Sequence, residues 1–194
     1  TITDPRDLQI DRAGQRPGSI IGVNVGSGKS GFSEEVFADY RVCVAAALHV
    51  ADYIVLNFSN DAVDRNSRSD GAALIVARAK LQVEEYRSRT QRHIPLLAKV
   101  NAGTSGQPLP MPRTSAAQLD GFVFVGGGIC RIAELRKALP DHGIVSVGGV
   151  LTENDVQARS HAGADLVQIH RAYTDGGATH VERMRVALEH GIAS

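Results

Sequence analysis

Three polar residues sit at or near the ends of apolar runs: Asn24 in Gly22-Val23-Asn24-Val25-Gly26, Asn57 after Tyr53-Ile54-Val55-Leu56, and Lys99 in Leu96-Leu97-Ala98-Lys99-Val100. An asparagine amide presents a donor beside an acceptor, which suits the edge of a planar heterocycle. At a strand end the same residue also serves simply to form a turn. Lys99 is more demanding, because an ammonium buried without a partner costs several kcal/mol. It calls for an internal carboxylate or for a ligand edge that gathers negative charge, such as the N1/O2 side of a flavin.

A second group of residues suits a phosphate. Val147-Gly148-Gly149-Val150 places two glycines at the end of an apolar run, with Thr152 opening the next segment. Glycines let backbone N–H groups come close to a phosphate, and a helix N-terminus adds a favourable dipole. Farther on, Ala162-Gly163-Ala164-Asp165-Leu166-Val167-Gln168-Ile169 leads to His170 and Arg171, a second loop that would close over the same anion. Tight turns alone would also account for the glycines. Arg171 offers a guanidinium able to pair a phosphate bidentately; on an exposed loop it would equally be a solvated charge.

Other patterns do not carry chemistry. Gly26-Ser27-Gly28-Lys29-Ser30 resembles the end of a P-loop, but Val23 falls where the first glycine of that motif belongs. Asn57-Phe58-Ser59 fits the glycosylation triplet, yet it lies on a run that reads as a buried strand. The seven histidines lack metal-ligand spacing, and Cys43 and Cys130 form neither a disulfide framework nor a zinc site. No metal site is expected. Asp61, Asp64, Arg65, Arg68 and Asp70 read as a solvated polar loop.

The elements that would position these residues alternate regularly. Strand-length apolar runs occur at 20–25, 53–58, 95–100, 121–125, 143–147 and 165–169. Amphipathic helices are expected at 33–50, 72–89, 132–139, 153–162 and 179–190, with Ser33 and Thr152 as N-caps and Pro140 and Gly163 as stops. Strands apolar on both faces, alternating with helices, give a parallel sheet covered by helices. The expected fold is α/β, an incomplete TIM-like (β/α) barrel with about six parallel strands, two short of the usual eight. Residues 1–18 read as an irregular N-terminal arm and residues 19–194 as the barrel domain. Residues 102–115, rich in proline and glycine, stand where a helix would be expected, as a surface loop or the scar of a deletion.

The 194 residues suffice for one domain with a sizeable core. Lys and Arg balance Asp and Glu at 21 each, so the chain has no basic excess with which to bind nucleic acid or an acidic membrane. No apolar run reaches the roughly 18 residues of a transmembrane span. The sequence opens Thr1-Ile2-Thr3 without methionine or leader composition, which suits a processed or partial product.

In order and spacing, the segments around Asn24, Asn57 and Lys99, together with Leu119-Asp120-Gly121, Ser146-Val147-Gly148-Gly149-Val150 and the stretch 162–169, resemble the class 2 dihydroorotate dehydrogenases. The resemblance covers nearly the whole chain. It implies a TIM-barrel flavoprotein that oxidises dihydroorotate to orotate, reduces FMN and passes electrons to a quinone, in the mitochondrion; without it the chain reads as cytoplasmic. Asn24, Asn57 and Lys99 match FMN-contacting positions, and Gly148, Gly149, His170 and Arg171 match the phosphate cradle. The last two are usually an aromatic and a small hydroxyl residue in that family.

The departures fall on the reaction. The family's motif Asn-x-Ser-Ser-Pro-Asn appears as Asn57-Phe58-Ser59-Asn60-Asp61-Ala62, so Asn60 replaces the catalytic serine and Ala62 a substrate-binding asparagine. Another substrate asparagine falls where Phe124-Val125-Gly126 stand, and the following loop shrinks to Gly126-Gly127-Gly128-Ile129. The first two barrel strands and the helices of the quinone tunnel have no counterpart in these residues. Three functions follow as expectations. One is a catalytically degenerate barrel serving as an accessory subunit, with room for a retained FMN or phosphate-ligand site and its open edge covered by a protein partner or a second copy. The second is an FMN-dependent oxidoreductase of the same family, and the third a phosphate-ligand-binding barrel without redox chemistry. Whether the chain is an enzyme is left open at this point.

Overall fold

The computed structural model describes residues 20–29, 31–59 and 70–192. The arm at 1–18, Asn60, Ala62 and the polar cluster from Asp61 to Arg68 lie outside the described residues; Asp70 opens a helix. The strands are β1 (Gly22–Val25), β2 (Tyr53–Asn57), β3 (Leu96–Asn101), β4 (Gly121–Val125), β5 (Gly143–Val147) and β6 (Leu166–Gln168). The helices are α1 (Glu34–Ala47), α2 (Asp70–Thr90), α3 (Arg113–Ala116), α4 (Ile129–Ala138), α5 (Glu153–His161) and α6 (Arg171–Ile192).

The sheet order is β1-β2-β3-β4-β5-β6, and β1–β2, β2–β3 and β5–β6 pair in parallel. A doubly wound sheet would reverse its order at a switch point. Sequential order with a helix after every strand is instead that of a (β/α) barrel, which closes typically with eight strands. The fold is therefore an incomplete TIM-like barrel of six parallel strands. The chain divides into two compact units, Thr1–Val100 with Met111–Gly121, and Asn101–Pro110 with Phe122–Ser194.

In the first unit, strand alternation separates two faces. Ile54 and Leu56 of β2 and Leu96, Ala98 and Val100 of β3 are fully buried. Helix α1 buries Val36, Tyr40, Val44 and Ala47, and α2 buries Ile75, Val76, Ala79 and Val83, at the three-to-four spacing of one helix face. Helix α1 starts where Ser33 accepts a hydrogen bond from the Val36 N–H and Glu34 and Glu35 meet the positive end of the dipole. Tyr40 stacks on Phe58 at 5.8 Å and donates its hydroxyl to the Asn57 carbonyl at 2.6 Å. Burial raises its phenol pKa well above the ordinary 10.

One device recurs at the N-terminal ends of the strands. Asp52 donates its N–H to the Ile21 carbonyl at 2.8 Å and accepts the Ile21 N–H on its carboxylate at 2.8 Å. Asp120 makes the same pair with Leu96, at 2.9 and 2.8 Å. In the second unit Asp165 repeats it with Ile144, at 2.8 and 2.7 Å. Each aspartate thus clips the start of its own strand to the start of the strand before it, satisfying an N–H outside the ladder with a charged acceptor.

In the second unit Val150, Val156, Ala172 and Met184 form a buried cluster, joined by Val167, Ile169 and Leu188. Helix α5 begins at a full capping box between Thr152 and Asp155. The final helix starts eight residues earlier than its periodicity suggests. A break at Gly177 (φ 65°, ψ −166°) joins two helical pieces, and Gly176-Gly177 hides the first of them in the sequence. Residues 102–115 contain only the first turn of α3. The stretch 102–108 is held by Arg131, 4% exposed, which donates to the carbonyls of Ala102 (2.9 Å), Gln107 (2.7 Å) and Pro108 (2.8 Å).

Candidate functional site

The first unit gathers Asn24, Asn57 and Lys99. Register pairs Asn24 with Val55, Val55 with Leu97, and Asn57 with Lys99. Directly paired residues of a parallel sheet share a face, so all three polar residues lie on the face opposite the buried Ile54, Leu56 and Ala98. Asn57 and Lys99 are lateral neighbours and half-buried, whereas Asn24 is exposed. Asn57 Oδ1 accepts from the Ser59 N–H at 3.1 Å and the Ser59 hydroxyl at 2.8 Å. Its acceptor is engaged in this turn, which leaves the Nδ2 donors as the part that faces a ligand. Lys99 makes no ion pair with any described residue, so an internal carboxylate does not account for it there.

The loop after β1 is structural. Ser27, 6% exposed, donates to Asp39 at 2.7 Å and accepts the Lys29 N–H at 3.1 Å. Lys29 pairs with Glu35 at 3.1 Å, which raises its pKa. The Gly26–Lys29 stretch is thereby fastened to α1 as a glycine-rich strand-to-helix turn. Cys43 lies in the same helix, its thiol pKa raised by burial and then by Asp39, which makes it a poor nucleophile.

The second unit carries Gly148, Gly149, His170 and Arg171. Gly148 (φ 99°) and Gly149 (φ 68°) are both left-handed, a conformation that favours glycine. A Cβ on Gly148 would stand 3.4 Å from the backbone nitrogen of Gly126, so the turns after β4 and β5 approach each other. The N-terminus of α5 is already occupied: Asp155 accepts the N–H groups of Leu151 and Thr152 and the Thr152 hydroxyl at 2.9–3.0 Å. The Leu151 N–H first, then the Thr152 hydroxyl, lowers the Asp155 pKa. Any anion at this turn therefore relies on the glycine backbone and not on the α5 dipole. Arg171 stands at the start of α6, largely exposed, 3.4 Å from Asp175. His170 is exposed, and its carbonyl accepts the N–H groups of Tyr173 and Thr174 at 3.1 Å each.

The buried charge at the glycine turn is Arg159, which nothing in the sequence singles out. It is 8% exposed, and it donates to the Ser146 hydroxyl and, at 2.7 Å, to the Gly148 carbonyl. An arginine on a polar helix reads as a solvated residue until the packing of α5 on β5 is known. Among the described residues no group of three or more His, Cys, Asp or Glu could hold a metal, and no helix is long and apolar enough to cross a membrane.

No protein-family model matches the chain. A protein of Dichelobacter nodosus named dihydroorotate dehydrogenase (quinone) is 26% identical over 194 residues, covering 84% of this chain and 58% of the relative. One of Leifsonia xyli with the same name is 28% identical over 196 residues, covering 87% and 57%. The chain thus spans little more than half the length of these relatives. Among solved structures, the ligand-free DHODH of Eimeria tenella superposes with a TM-score of 0.72 at 20% identity, over 95% of this chain and 62% of the other. The same enzyme in complex with ferulenol gives 0.69 at 17% identity, over 95% and 60%. The structural likeness speaks for the fold, and the sequence likeness joins it to relatives of one name. The chain is related to the dihydroorotate dehydrogenase family.

Proposed function

We propose that this chain is a dihydroorotate dehydrogenase-like barrel that does not itself oxidise dihydroorotate and serves as an accessory, structural component of a larger assembly, in the mitochondrial setting that the resemblance implies. The carrying observation is the run after Asn57, where Asn60 takes the place of the catalytic serine and Ala62 that of a substrate-binding asparagine. A carboxamide cannot accept a proton at neutral pH, and loss of a general base forfeits roughly 10²–10⁴-fold in rate. The sheet order supports the assembly part. Among the described residues β1 and β6 each have a single neighbour, and Ile20 and Leu166 at those edges are 77% and 61% exposed. Unpaired strand edges beside apolar residues invite another polypeptide. The test is steady-state oxidation of dihydroorotate with an artificial electron acceptor. Background rates are expected; robust turnover that survives Asn60→Ala would sink the proposal.

A second reading, an FMN-dependent oxidoreductase, is favoured by Lys99, half-buried beside Asn57 and without an ion pair among the described residues. The residues fit the group. In the first unit Lys99 would offset charge on the flavin ring edge, Asn57 would donate through Nδ2, and Asn24 would lie on the same sheet face. FMN would supply two-electron redox chemistry. A visible absorption spectrum of the purified protein decides for or against a bound flavin, and Lys99→Met is expected to weaken FMN binding about tenfold or more.

A further inference from the structure

We propose that the outer face of α2 is a docking surface for a second copy of this chain, the two copies joined by an antiparallel α2–α2 contact about a two-fold axis at Leu81. It needs neither the strand edges nor a flavin, so its failure would leave the turnover and absorption tests above as they stand.

Helix α2 carries apolar residues on two opposite sides. Ile75, Val76, Ala79 and Val83 are buried against the rest of the first unit. Leu74 and Leu81, by contrast, are 38% and 71% exposed. At 3.6 residues per turn, positions seven apart lie within about 20° of each other around the axis. Position 81 falls roughly opposite 79 and 83, so the two leucines stand on the stripe farthest from the core. Half-buried Ala77 and exposed Ser88 continue that stripe. One exposed leucine is ordinary. Two at heptad spacing, with a small residue between them, make a seam against which another helix packs.

The charges beside the seam say which helix that is. Arg78 and Glu85 flank Leu81 on one side of the stripe, three residues before it and four after, and both are exposed. Neither makes an ion pair with a described residue. Arg78 stacks over Phe37 at 5.2 Å, while Lys80 and Arg87 pair with Glu84, at 3.2 and 3.9 Å. A two-fold axis that sets two copies of α2 antiparallel keeps this side together and reverses its order along the helix. Arg78 then meets the partner's Glu85, and Glu85 the partner's Arg78, on either side of a contact between the two Leu81 side chains. That reciprocity is what an isologous interface requires. On the other side of the seam Lys80 comes level with the partner's Glu84. Parallel helices in register would instead set Arg78 on Arg78 and Glu85 on Glu85, like charges that oppose association. The order of charges therefore selects an antiparallel copy of the same helix. A single helix pair is a small interface, of the transient class, so the association should depend on concentration.

The test is sedimentation velocity of the purified full chain from roughly 10 µM to 1 mM, with circular dichroism to confirm that each variant is folded. The unaltered protein should show a monomer–dimer equilibrium, and Leu81→Lys should remain monomeric over the same range. Arg78→Glu or Glu85→Arg alone should weaken the dimer about tenfold or more, because each replaces two attractive contacts by two repulsive ones. An equimolar mixture of these two variants should associate again, since every contact across that pair is once more between opposite charges. A monomer throughout for the unaltered protein overturns the proposal. So does a dimer that survives Leu81→Lys, which would place the contact on another surface, the strand edges included. A mixture no tighter than its separate components overturns the antiparallel register. Should Leu81→Lys fail to fold, the charge reversals read the same face: dimers within about twofold of the unaltered protein in both overturn it.

Discussion

Arg131 holds three backbone carbonyls of the stretch 102–108 and pairs with Glu134 at 3.1 Å. Replacing it by methionine leaves those acceptors without their donor, that of the buried Ala102 among them. The expected loss is about 2–4 kcal/mol in chemical denaturation, with faster proteolytic cleavage inside 102–110. Unchanged stability and cleavage would show that the carbonyls find water instead. Glu134 completes the arrangement. The Ser105 hydroxyl, then the Gly106 N–H and Arg131, bring its carboxyl from 4.5 down to about 2. A carboxyl with a lower pKa in the folded state stabilises the fold fully above its unfolded pKa, and this contribution is lost as pH falls from about 4.5 toward 2. An NMR titration should give Glu134 a midpoint near 2; a midpoint near 4.5 would show that the three hydrogen bonds are absent in solution.

The aspartate clips lie one step up, where strand is joined to strand. Asp52, Asp120 and Asp165 each take the N–H that opens the preceding strand, 31, 24 and 21 residues earlier. Asp120→Ala should cost about 1–3 kcal/mol by leaving the Leu96 N–H unpaired, and Asp120→Asn less, since an amide oxygen still accepts. Equal losses in the two variants would assign the effect to charge and not to the bond. The turn before β6 is as exacting. Gly163 has φ 103°, and a Cβ there would meet the Arg136 Cγ at 2.6 Å. Gly163→Ala is therefore expected to cost about 1–3 kcal/mol, read as a lower midpoint of thermal unfolding. These segments stand out in the sequence as Ala51-Asp52, Leu119-Asp120 and Ala164-Asp165. Their role does not, because each partner is a whole βα unit away.

At the scale of the molecule, the six strands of the described residues, in sequential order, leave β1 and β6 with one neighbour each among those residues. Hydrogen exchange of the isolated chain should find the β1 amides facing β2 protected and those facing away fast. In the assembly proposed above, the second set should slow to match the first. Equal protection in the isolated chain would mean that the edge is already covered from within, and the need for a partner would disappear.

Alternation of two-faced apolar strands with amphipathic helices is a local property. It gave the six strands, their parallel pairing and the barrel class, and it set Asn24, Asn57 and Lys99 near strand ends, where such folds build their sites. Local pattern also located the caps at Ser33 and Thr152, since a cap needs only its own first turn. What the sequence could not settle depends on distant neighbours. Whether an arginine is solvated or buried is fixed by what packs on it, so Arg131 and Arg159 emerged as organising residues and Arg171 as an exposed one only in three dimensions. The same holds for Asn57, whose acceptor is taken up by Ser59, and for Asp155, whose carboxylate fills the α5 N-terminus before any phosphate could. Side-chain burial and hydrogen-bond partners are long-range outcomes of packing, and no periodicity encodes them.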